Sequence, residues 1–442
     1  MSKLLKFLIF LLVLLLVACN RPKGEPKTLP PDTSNTPREV STEISETEES
    51  YSPSITDTPQ PAVTADNLPP VEPTVNMTQV LQGNLIPIFP PGTEINIHEI
   101  HMDNNLAGWA IAVSDSEIEH ILTTEDGGNT WQDVTPPQPL ITGNGGYSTA
   151  DMGVWDANNA WVNYAGSDLI WSTKNSGITW DVIPVQYITL HEAMVSVLDE
   201  NHIWVFQFLD AGMHKVYTAL VRSISGGDSW DLLLDPYTDS SIQSFYKNEA
   251  VFINPQYGWL TKDFDGVTPF VHLSLTQDGG ITWEELELPA PPSLPDVFLE
   301  GACGLYDPYL VSSLQGSFRL SCLYNLNDQR MEQDFLYKTS DGGSTWLILD
   351  APGGEIYQIN DMVMYALGRD IYRSDDGGEN WRYIKAVFWD GQFDFINQNT
   401  AWAVASDKSD WENPEYALVK TTDGCNSFSI IVPEIIASTT NR

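Results

Sequence analysis

The chain of 442 residues carries 21 Lys and Arg against 60 Asp and Glu, a formal net charge of −39. This excess of acid argues against a nucleic-acid-binding protein and against adsorption to anionic lipid headgroups, because both need clustered basic side chains. A hydrophobic fraction of 42% allows a large core, and the 15 Trp and 31 Gly favour a turn-rich β protein over a helical one.

The first 19 residues have the features of an export signal. Lys3 and Lys6 precede the apolar run Phe7–Ala18, which is too short to span a bilayer comfortably. The run ends in the tetrapeptide LVAC, which resembles the lipobox of bacterial lipoproteins. That resemblance implies that Cys19 is lipidated and anchors an extracytoplasmic protein to the bacterial cell membrane. An ordinary secretory signal with an incidental cysteine is the alternative.

Residues 20–78 are predicted to form a disordered tether. Between Asn20 and Val75 the sequence has 11 Pro, 15 Ser or Thr and a single aromatic residue, Tyr51. Such a segment buries too little apolar surface to offset the entropy of ordering it. We expect the tether to hold a folded domain, residues 79–436, away from the membrane, and residues 437–442 to form a short tail.

An octapeptide recurs seven times in the folded domain, from TEDGGNTW at 124–131 to TTDGCNSF at 421–428. Its closing aromatic residues lie at intervals of 49, 50, 53, 63, 35 and 47 residues, which suits one four-stranded propeller blade per repeat. We expect a tight turn, in which the third residue accepts hydrogen bonds from amides two residues on and glycine supplies a positive φ. These structural third residues include Asp126, Asn175, Asp278, Asp341, Asp376 and Asp423.

Each repeat has a second, upstream anchor, an aromatic residue preceded by a turn-forming residue five positions earlier. The aromatic anchors are Trp109, Trp161, Trp204, Trp259, Phe318, Tyr365 and Trp402, and the turn residues are Asn104, Asp156, Asp199, Asn254, Ser313, Asn360 and Asn397. We interpret this pair as the hairpin between the first and second strands, and the octapeptide as the hairpin between the third and fourth. Seven copies predict an all-β fold, a seven-bladed β-propeller of four-stranded antiparallel blades, with segment 79–92 as the candidate closing strand. Two smaller propellers are the alternative, but no linker interrupts the repeats.

The octapeptide resembles the Asp-box, S/T-x-D-x-G-x-T-W. Over residues 81–436, the repeat is similar to that of the photosystem II assembly and stability factors. This resemblance implies a non-enzymatic scaffold that binds a membrane-protein precursor through a basic patch. The acidic domain has no such patch, so only the scaffold idea carries over. Sialidases, xyloglucanase-type hydrolases and sortilin ectodomains share the Asp-box but differ in the rest.

The two recurring hairpins are expected to share one face of the propeller, here called the hairpin face, and the other connections to share the opposite, variable face. Two Trp without a packing role in the repeats, Trp389 and Trp411, fall on the variable face of the seventh blade, with Asp390, Asp410 and Arg369 nearby. One interpretation is an aromatic platform for a sugar ring, a proline or a cation. The alternative is two exposed or partly packed Trp.

Cofactor and metal signals are weak. Asp263 and Asp265 resemble a fragment of a calcium loop, but the third ligand position and the distal Glu are missing, so a solvated turn is favoured and no metal or other cofactor is expected. Because export favours disulfides, Cys303, assigned to a long insertion, and Cys322, on a second strand, are candidate partners, and Cys425 is expected to be free or buried.

The sequence therefore predicts a monomeric, non-enzymatic binding or scaffold propeller that recognises a protein or a glycan through its variable face. A sialidase is disfavoured because it needs three Arg, and the folded domain, residues 79–436, has only six. A glycoside hydrolase with two carboxylates is the first alternative. A cell-envelope scaffold with no small ligand is the third.

Overall fold

The computed structural model describes residues 84–114, 118–140, 149–189, 193–212, 215–238, 247–262, 271–327, 329–407 and 415–437, which lie in one compact unit, Leu68–Arg442. Within these residues, strands form seven antiparallel four-stranded meanders, and a further strand joins one of them. The prediction of a seven-bladed β-propeller is confirmed. No helix in the described part of the chain is long and apolar enough to span a membrane.

The first four blades follow one another in chain order. Blade 1 contains β1 (Asn96–Met102), β2 (Gly108–Val113), β3 (His120–Thr124) and β4 (Thr130–Asp133); blade 2 contains β5 (Ala150–Val154), β6 (Ala160–Tyr164), β7 (Leu169–Thr173) and β8 (Asp181–Pro184); blade 3 contains β9 (Ala193–Val197), β10 (Ile203–Gly212), β11 (Lys215–Ser223) and β12 (Asp231–Leu234); blade 4 contains β13 (Lys247–Phe252), β14 (Gly258–Lys262), β15 (His272–Thr276) and β16 (Glu284–Glu287).

A short helix, α1 (Val297–Glu300), precedes the last three blades. Blade 5 contains β17 (Ala302–Leu310), β18 (Gly316–Leu326), β19 (Gln329–Thr339) and β20 (Leu347–Ala351); blade 6 contains β21 (Glu355–Gln358), β22 (Met364–Leu367), β23 (Asp370–Ser374) and β24 (Arg382–Ala386); blade 7 contains β25 (Asp390–Asn397), β26 (Thr400–Asp407), β27 (Glu415–Thr421) and β28 (Ser429–Ile431). At five of the seven junctions, the first strands of the two neighbouring blades contact each other, which places the first strands around the axis of the ring.

The ring is closed by the C-terminal strand β29 (Glu434–Ile436), which pairs in parallel with β4 on the outer edge of blade 1. The expectation that segment 79–92 supplies the closing strand is wrong. Its described part forms only an isolated bridge from Leu85 to Pro139, and the amide of Gly92 donates to the Ile435 carbonyl. Residues 89 and 92 therefore contact blade 1 and β29 close to the place where these two elements pair.

The octapeptides form the expected turns, with a different hydrogen-bond pattern. In the first copy the Thr124 hydroxyl oxygen accepts from the amides of Asp126 and Gly128, two and four residues on. The Asp126 carboxylate accepts instead from the amide and the hydroxyl of Thr130, at 2.9 and 2.8 Å. Gly127 and Gly128 have φ of 77° and 93°. The sequence predicts that the carboxylate alone accepts the hydrogen bonds of the turn. In the structure, the hydroxyl oxygen accepts those from inside the turn and the carboxylate accepts those from Thr130.

The upstream hairpins confirm the turn residues in six blades and correct the fifth. In blade 5 the side chain that accepts from the amides two and three residues on belongs to Ser312, not Ser313. The strand register shifts with it, since Gly316 pairs with Leu310 and Ser317 occupies the ladder position that Trp109 has in blade 1. The spacing of five residues holds, but the anchor position of this blade carries a serine.

A disulfide joins Cys303 and Cys322. The two residues are direct partners across β17 and β18, so Cys303 belongs to the first strand of blade 5 and not to the preceding insertion. Cys425 is buried and free. It holds a φ of 66° at a position where the other octapeptides have glycine.

Candidate functional site

The predicted aromatic platform is not formed by Trp389. Its side chain is 7% exposed and packs inside blade 7, 5.6 Å from the Phe393 ring and 5.5 Å from the Phe428 ring. Phe428 closes the seventh octapeptide, where the first six copies have Trp. Trp389 supplies the missing aromatic volume and cannot stack on a ligand from solvent.

The other predicted site residues are partly accounted for. Arg369 and Asp390 form an exposed ion pair, with Nε 3.2 Å from Oδ1 and Nη2 3.4 Å from Oδ2. Trp411 and Asp410 lie outside the described residues. The candidate calcium-loop residues, Asp263 and Asp265, also lie outside them.

A polar layer that the sequence interpretation missed surrounds the axis. It lies on the first strand of every blade, five positions before the residue that accepts in the first hairpin turn. Its members, here called the axial layer, are Glu99, Asp151, Met194, Glu249, Asp307, Glu355 and Gln392. Five of the seven are carboxylic acids. Glu355 is the first residue of β21 and Asp151 the second of β5, whereas Asp307 is the sixth of the nine residues of β17.

Part of this layer completes the backbone of the neighbouring blade. Gln392 accepts from the Ile100 amide and donates to the Ile100 carbonyl, both at 3.1 Å, and so pairs the open inner edge of blade 1. Asp307 accepts from the Ile356 amide of blade 6 at 2.7 Å. A first strand has no neighbour on its axial side, so these side chains satisfy backbone groups that would otherwise stay unpaired.

The sector formed by blades 4, 5 and 6 concentrates negative charge. Arg319 donates from Nε to Asp307 at 2.6 Å and lies 3.4 Å from Asp334. Burial, followed by the charges of Asp307 and Glu355, raises the pKa of Glu249 to about 8. Burial and the charge of Asp307 raise the pKa of Glu355 to about 7. Protein surrounds Glu249 and desolvates it, yet the residue is exposed to solvent.

The opposite sector, around blade 1, holds a histidine among acids. His101 Nε2 is hydrogen-bonded to the Glu99 carboxylate. Burial lowers the pKa of His101, but the hydrogen bond and charge of Glu99 and the charges of Asp394 and Asp151 outweigh it, so the pKa is raised. Burial and the nearby charge of Asp394 raise the pKa of Tyr357. Titratable groups on neighbouring blades therefore interact around the axis in the order blade 2, blade 1, blade 7, blade 6, blade 5 and blade 4.

This arrangement can do two things chemically. It can attract a cation, because carboxylates outnumber the one guanidinium and the one imidazole that face them. It can also hold a protonated carboxyl group beside an ionised one near neutral pH. Among the described residues, no three His, Cys, Asp or Glu side chains are grouped as a metal ion would require.

No family model and no curated protein matches the sequence. Solved structures match the chain at low identity. The GH74 enzyme of Niastella koreensis is 12% identical with a TM-score of 0.30, covering 75% of this chain and 62% of that one. A hypothetical selenium-binding protein from Sulfolobus tokodaii is 9% identical with a TM-score of 0.46, covering 77% and 90%. The GH93 α-L-arabinofuranosidase of Fusarium graminearum, solved with arabinobiose, is 8% identical with a TM-score of 0.40, covering 76% and 98%. Two of the three are glycoside hydrolases, and the likeness extends to the fold alone.

Proposed function

We propose that the chain is a lipid-anchored, extracytoplasmic binding propeller that takes a basic segment of a protein partner at its acidic axis. The tether and Cys19 would place the domain outside the membrane, as its leader and lipobox suggest. The observation that carries the binding role is the axial layer, with five acids at one structural position.

The electrostatics explain why a cation would bind there. Ionising Glu249 or Glu355 is unfavourable because each is desolvated and faces Asp307. A Lys or Arg side chain placed among them would favour the ionised forms and relieve their repulsion. Binding would therefore release protons near neutral pH and weaken as salt concentration rises.

The test uses the mature chain in detergent and a labelled nona-arginine peptide. We expect binding that the double variant Glu249→Gln/Glu355→Gln weakens about thirtyfold, since each of the two charge pairs contributes roughly 1 kcal/mol. The control Glu125→Gln/Glu379→Gln removes the same charge from exposed octapeptide residues on the hairpin face. Equal weakening in both double variants would reduce the effect to net charge and refute a site at the axis.

The lipid anchor has its own test. We expect the full-length chain to remain with the membrane fraction after a high-salt wash, and Cys19→Ser to appear in the soluble extracytoplasmic fraction or to stay unprocessed. The acyl chains contribute about 0.8 kcal/mol for each buried CH₂. Without them, the processed variant should lose its membrane association completely rather than partially. Retention of processed Cys19→Ser on the membrane would contradict the anchor.

A glycoside hydrolase is the second candidate, and the raised pKa values favour it. Glu355, with a pKa of about 7, could protonate a leaving oxygen while Asp307 acts as base or nucleophile. Turnover of plant and bacterial polysaccharides by the wild type, lost on Glu355→Gln and retained on Glu379→Gln, would support this reading. Peptide binding without turnover would reject it.

A further inference from the structure

The aromatic anchor of each second strand normally fills the junction with the next blade. The indole N–H of Trp204 donates to the Gly279 carbonyl of blade 4 at 2.8 Å, and that of Trp402 to the Gly127 carbonyl of blade 1 at 2.9 Å. The Tyr365 hydroxyl also donates to the next blade, at 2.7 Å, but to the Gln398 carbonyl in the first hairpin turn of blade 7. A ring and one donor therefore occupy the same place at several junctions.

The junction between blades 5 and 6 lacks this ring. Ser317 occupies the anchor position of blade 5, and its Oγ accepts from Gln358 Nε2 of blade 6 at 2.6 Å. A cavity of about 430 Å³ opens there on the hairpin side, lined among others by Ser317, Gln358, Asp361, Lys338 and Trp346. Its volume falls within the range of about 300–1,000 Å³ that small-molecule sites occupy.

The groups around this cavity are those that accompany a ring at the other junctions. Lys338 directly precedes its octapeptide, as Lys420 does in blade 7, where the ammonium lies 3.9 Å from the Trp402 ring centroid. Lys338 Nζ donates to the Gly377 carbonyl at 2.7 Å, the carbonyl equivalent to the one that accepts from Trp402. The cation is thus present and the ring is not.

The rest of the lining supplies one aromatic wall and several hydrogen-bonding groups. Trp346 borders the cavity, and its indole N–H is buried without a hydrogen-bond acceptor. Asp361 accepts from Gln315 Nε2 at 3.0 Å and keeps a carboxylate at the rim. A planar ligand with an N–H or O–H donor would find an ammonium group for its face and carboxylate or amide oxygens for its donor.

We propose that the cavity between blades 5 and 6 binds a small aromatic molecule of the indole or phenol class, which takes the place of the absent anchor side chain. The ring lies against Lys338, and its donor points to the polar rim. This site is on the hairpin side of the ring, is separate from the axial layer and does not depend on the proposed peptide binding.

The test measures binding of indole, phenol and cyclohexanol to the mature chain by calorimetry and ligand-observed NMR. Cyclohexanol matches phenol in size and in its hydroxyl but has no aromatic face. We expect saturable binding of indole and phenol, with cyclohexanol at least tenfold weaker. Absence of indole and phenol binding to the wild type, or equal affinity for phenol and cyclohexanol, would overturn the proposal.

Variants locate the site. Ser317→Trp restores the anchor and should abolish indole binding, whereas Thr422→Trp, an exposed position in blade 7, should leave it unchanged. Lys338→Met should weaken binding severalfold and gives an independent answer if Ser317→Trp does not fold. Unchanged indole affinity in Lys338→Met, or in folded Ser317→Trp, would refute the assignment. Binding of N-acetyltryptophanamide in preference to indole would assign the cavity to a protein side chain and overturn the small-molecule class.

Discussion

Two junctions of the same ring solve the same packing problem differently. Between blades 7 and 1, Trp402 is fully buried, Lys420 covers its ring, and its indole N–H reaches Gly127. Between blades 5 and 6, Ser317 stands at the same ladder position, and a cavity remains. The two junctions also differ at the axis, where Gln392 pairs neatly with backbone in the first, and Asp307 repels Glu355 in the second.

The difference teaches that a closed ring can leave one joint hollow. Each blade contacts two neighbours, and closure of the ring fixes the positions of all the blades. The well-packed junctions therefore keep blades 5 and 6 side by side even though the junction between them is poorly packed. Packing that is uniform around the ring serves stability. A position that departs from the repeat, in a place where six others agree, is therefore where another role is to be sought.

The largest expected effect comes from making the first junction like the second. Trp402→Ser should destabilise the fold by about 3–5 kcal/mol, because it deletes a buried indole and leaves a cavity. The control Trp155→Ser makes the same chemical change at a side chain that is 45% exposed and should cost less than about 1 kcal/mol. Chemical denaturation measures both. Similar losses in the two variants would mean that burial at the junction is not what stabilises the ring.

Breaking the disulfide tests how much this bridge stabilises blade 5, which has no aromatic anchor. The bridge closes a sequence separation of 19 residues, and its removal in Cys303→Ser/Cys322→Ser should cost about 2–4 kcal/mol. Thermal unfolding with and without reductant measures this. Reductant should lower the wild-type melting temperature to that of the double variant and leave the variant unchanged. A wild type that is indifferent to reductant would contradict the prediction.

The charged axis of the second junction predicts a pH dependence. Glu249 and Glu355 have pKa values raised to about 8 and about 7 in the fold, so between about pH 5 and 8 the folded chain binds more protons than the unfolded chain. Stability should therefore fall as pH rises through this window. His101, whose pKa is also raised, acts in the same direction.

Solvent at the exposed Glu249 and the half-buried Glu355 screens these charges, so the effect is smaller than full burial would give. We expect the melting temperature at pH 8.5 to lie roughly 1–3 °C below that at pH 6. Glu249→Gln/Glu355→Gln should remove most of the difference, and Glu125→Gln/Glu379→Gln should not. A melting temperature that rises over this pH window would reverse the sign assigned here.

The smallest effect belongs to the ion pair that joins blades 6 and 7 on the variable face. Arg369 is 66% exposed and Asp390 40% exposed, so Arg369→Ala should cost less than about 1 kcal/mol, and high salt should erase even that. Denaturation at low and high salt provides the measurement. A loss of several kcal/mol would contradict this and show that the exposed ion pair stabilises the fold as much as a buried junction does.

The fold could be predicted from the sequence because its signals repeat. Seven octapeptides at blade-sized spacing fix the hairpins. An Ile or Leu stands three positions before each of them and is buried in the structure; these are Ile121, Ile170, Leu220, Leu273, Leu336, Ile371 and Leu418. Closure could not be predicted, because the three residues of β29 have no counterpart in the other repeats. A single short strand leaves no pattern to compare.

The candidate site was harder to predict because it required knowing what each aromatic residue packs against. Trp389 looked free when counted against the repeat, but Phe428 is smaller than Trp and leaves room for it. In blade 5 the neighbouring Phe318 looked like the anchor until the register placed Ser317 there. The acids of the axial layer share a fixed spacing from the turn residues, so this signal was present in the sequence and was overlooked.

The short parallel strand β29 also has a kinetic meaning. Ile435 pairs with Trp131, a partner about 300 positions earlier in the chain, and such distant contacts form late and slowly. Blade 1 is synthesised first, and we expect its outer strand to keep an unpaired edge until β29 is in place. We expect the refolding rate to depend on the pairing of β29 with β4 more than on the formation of any single blade.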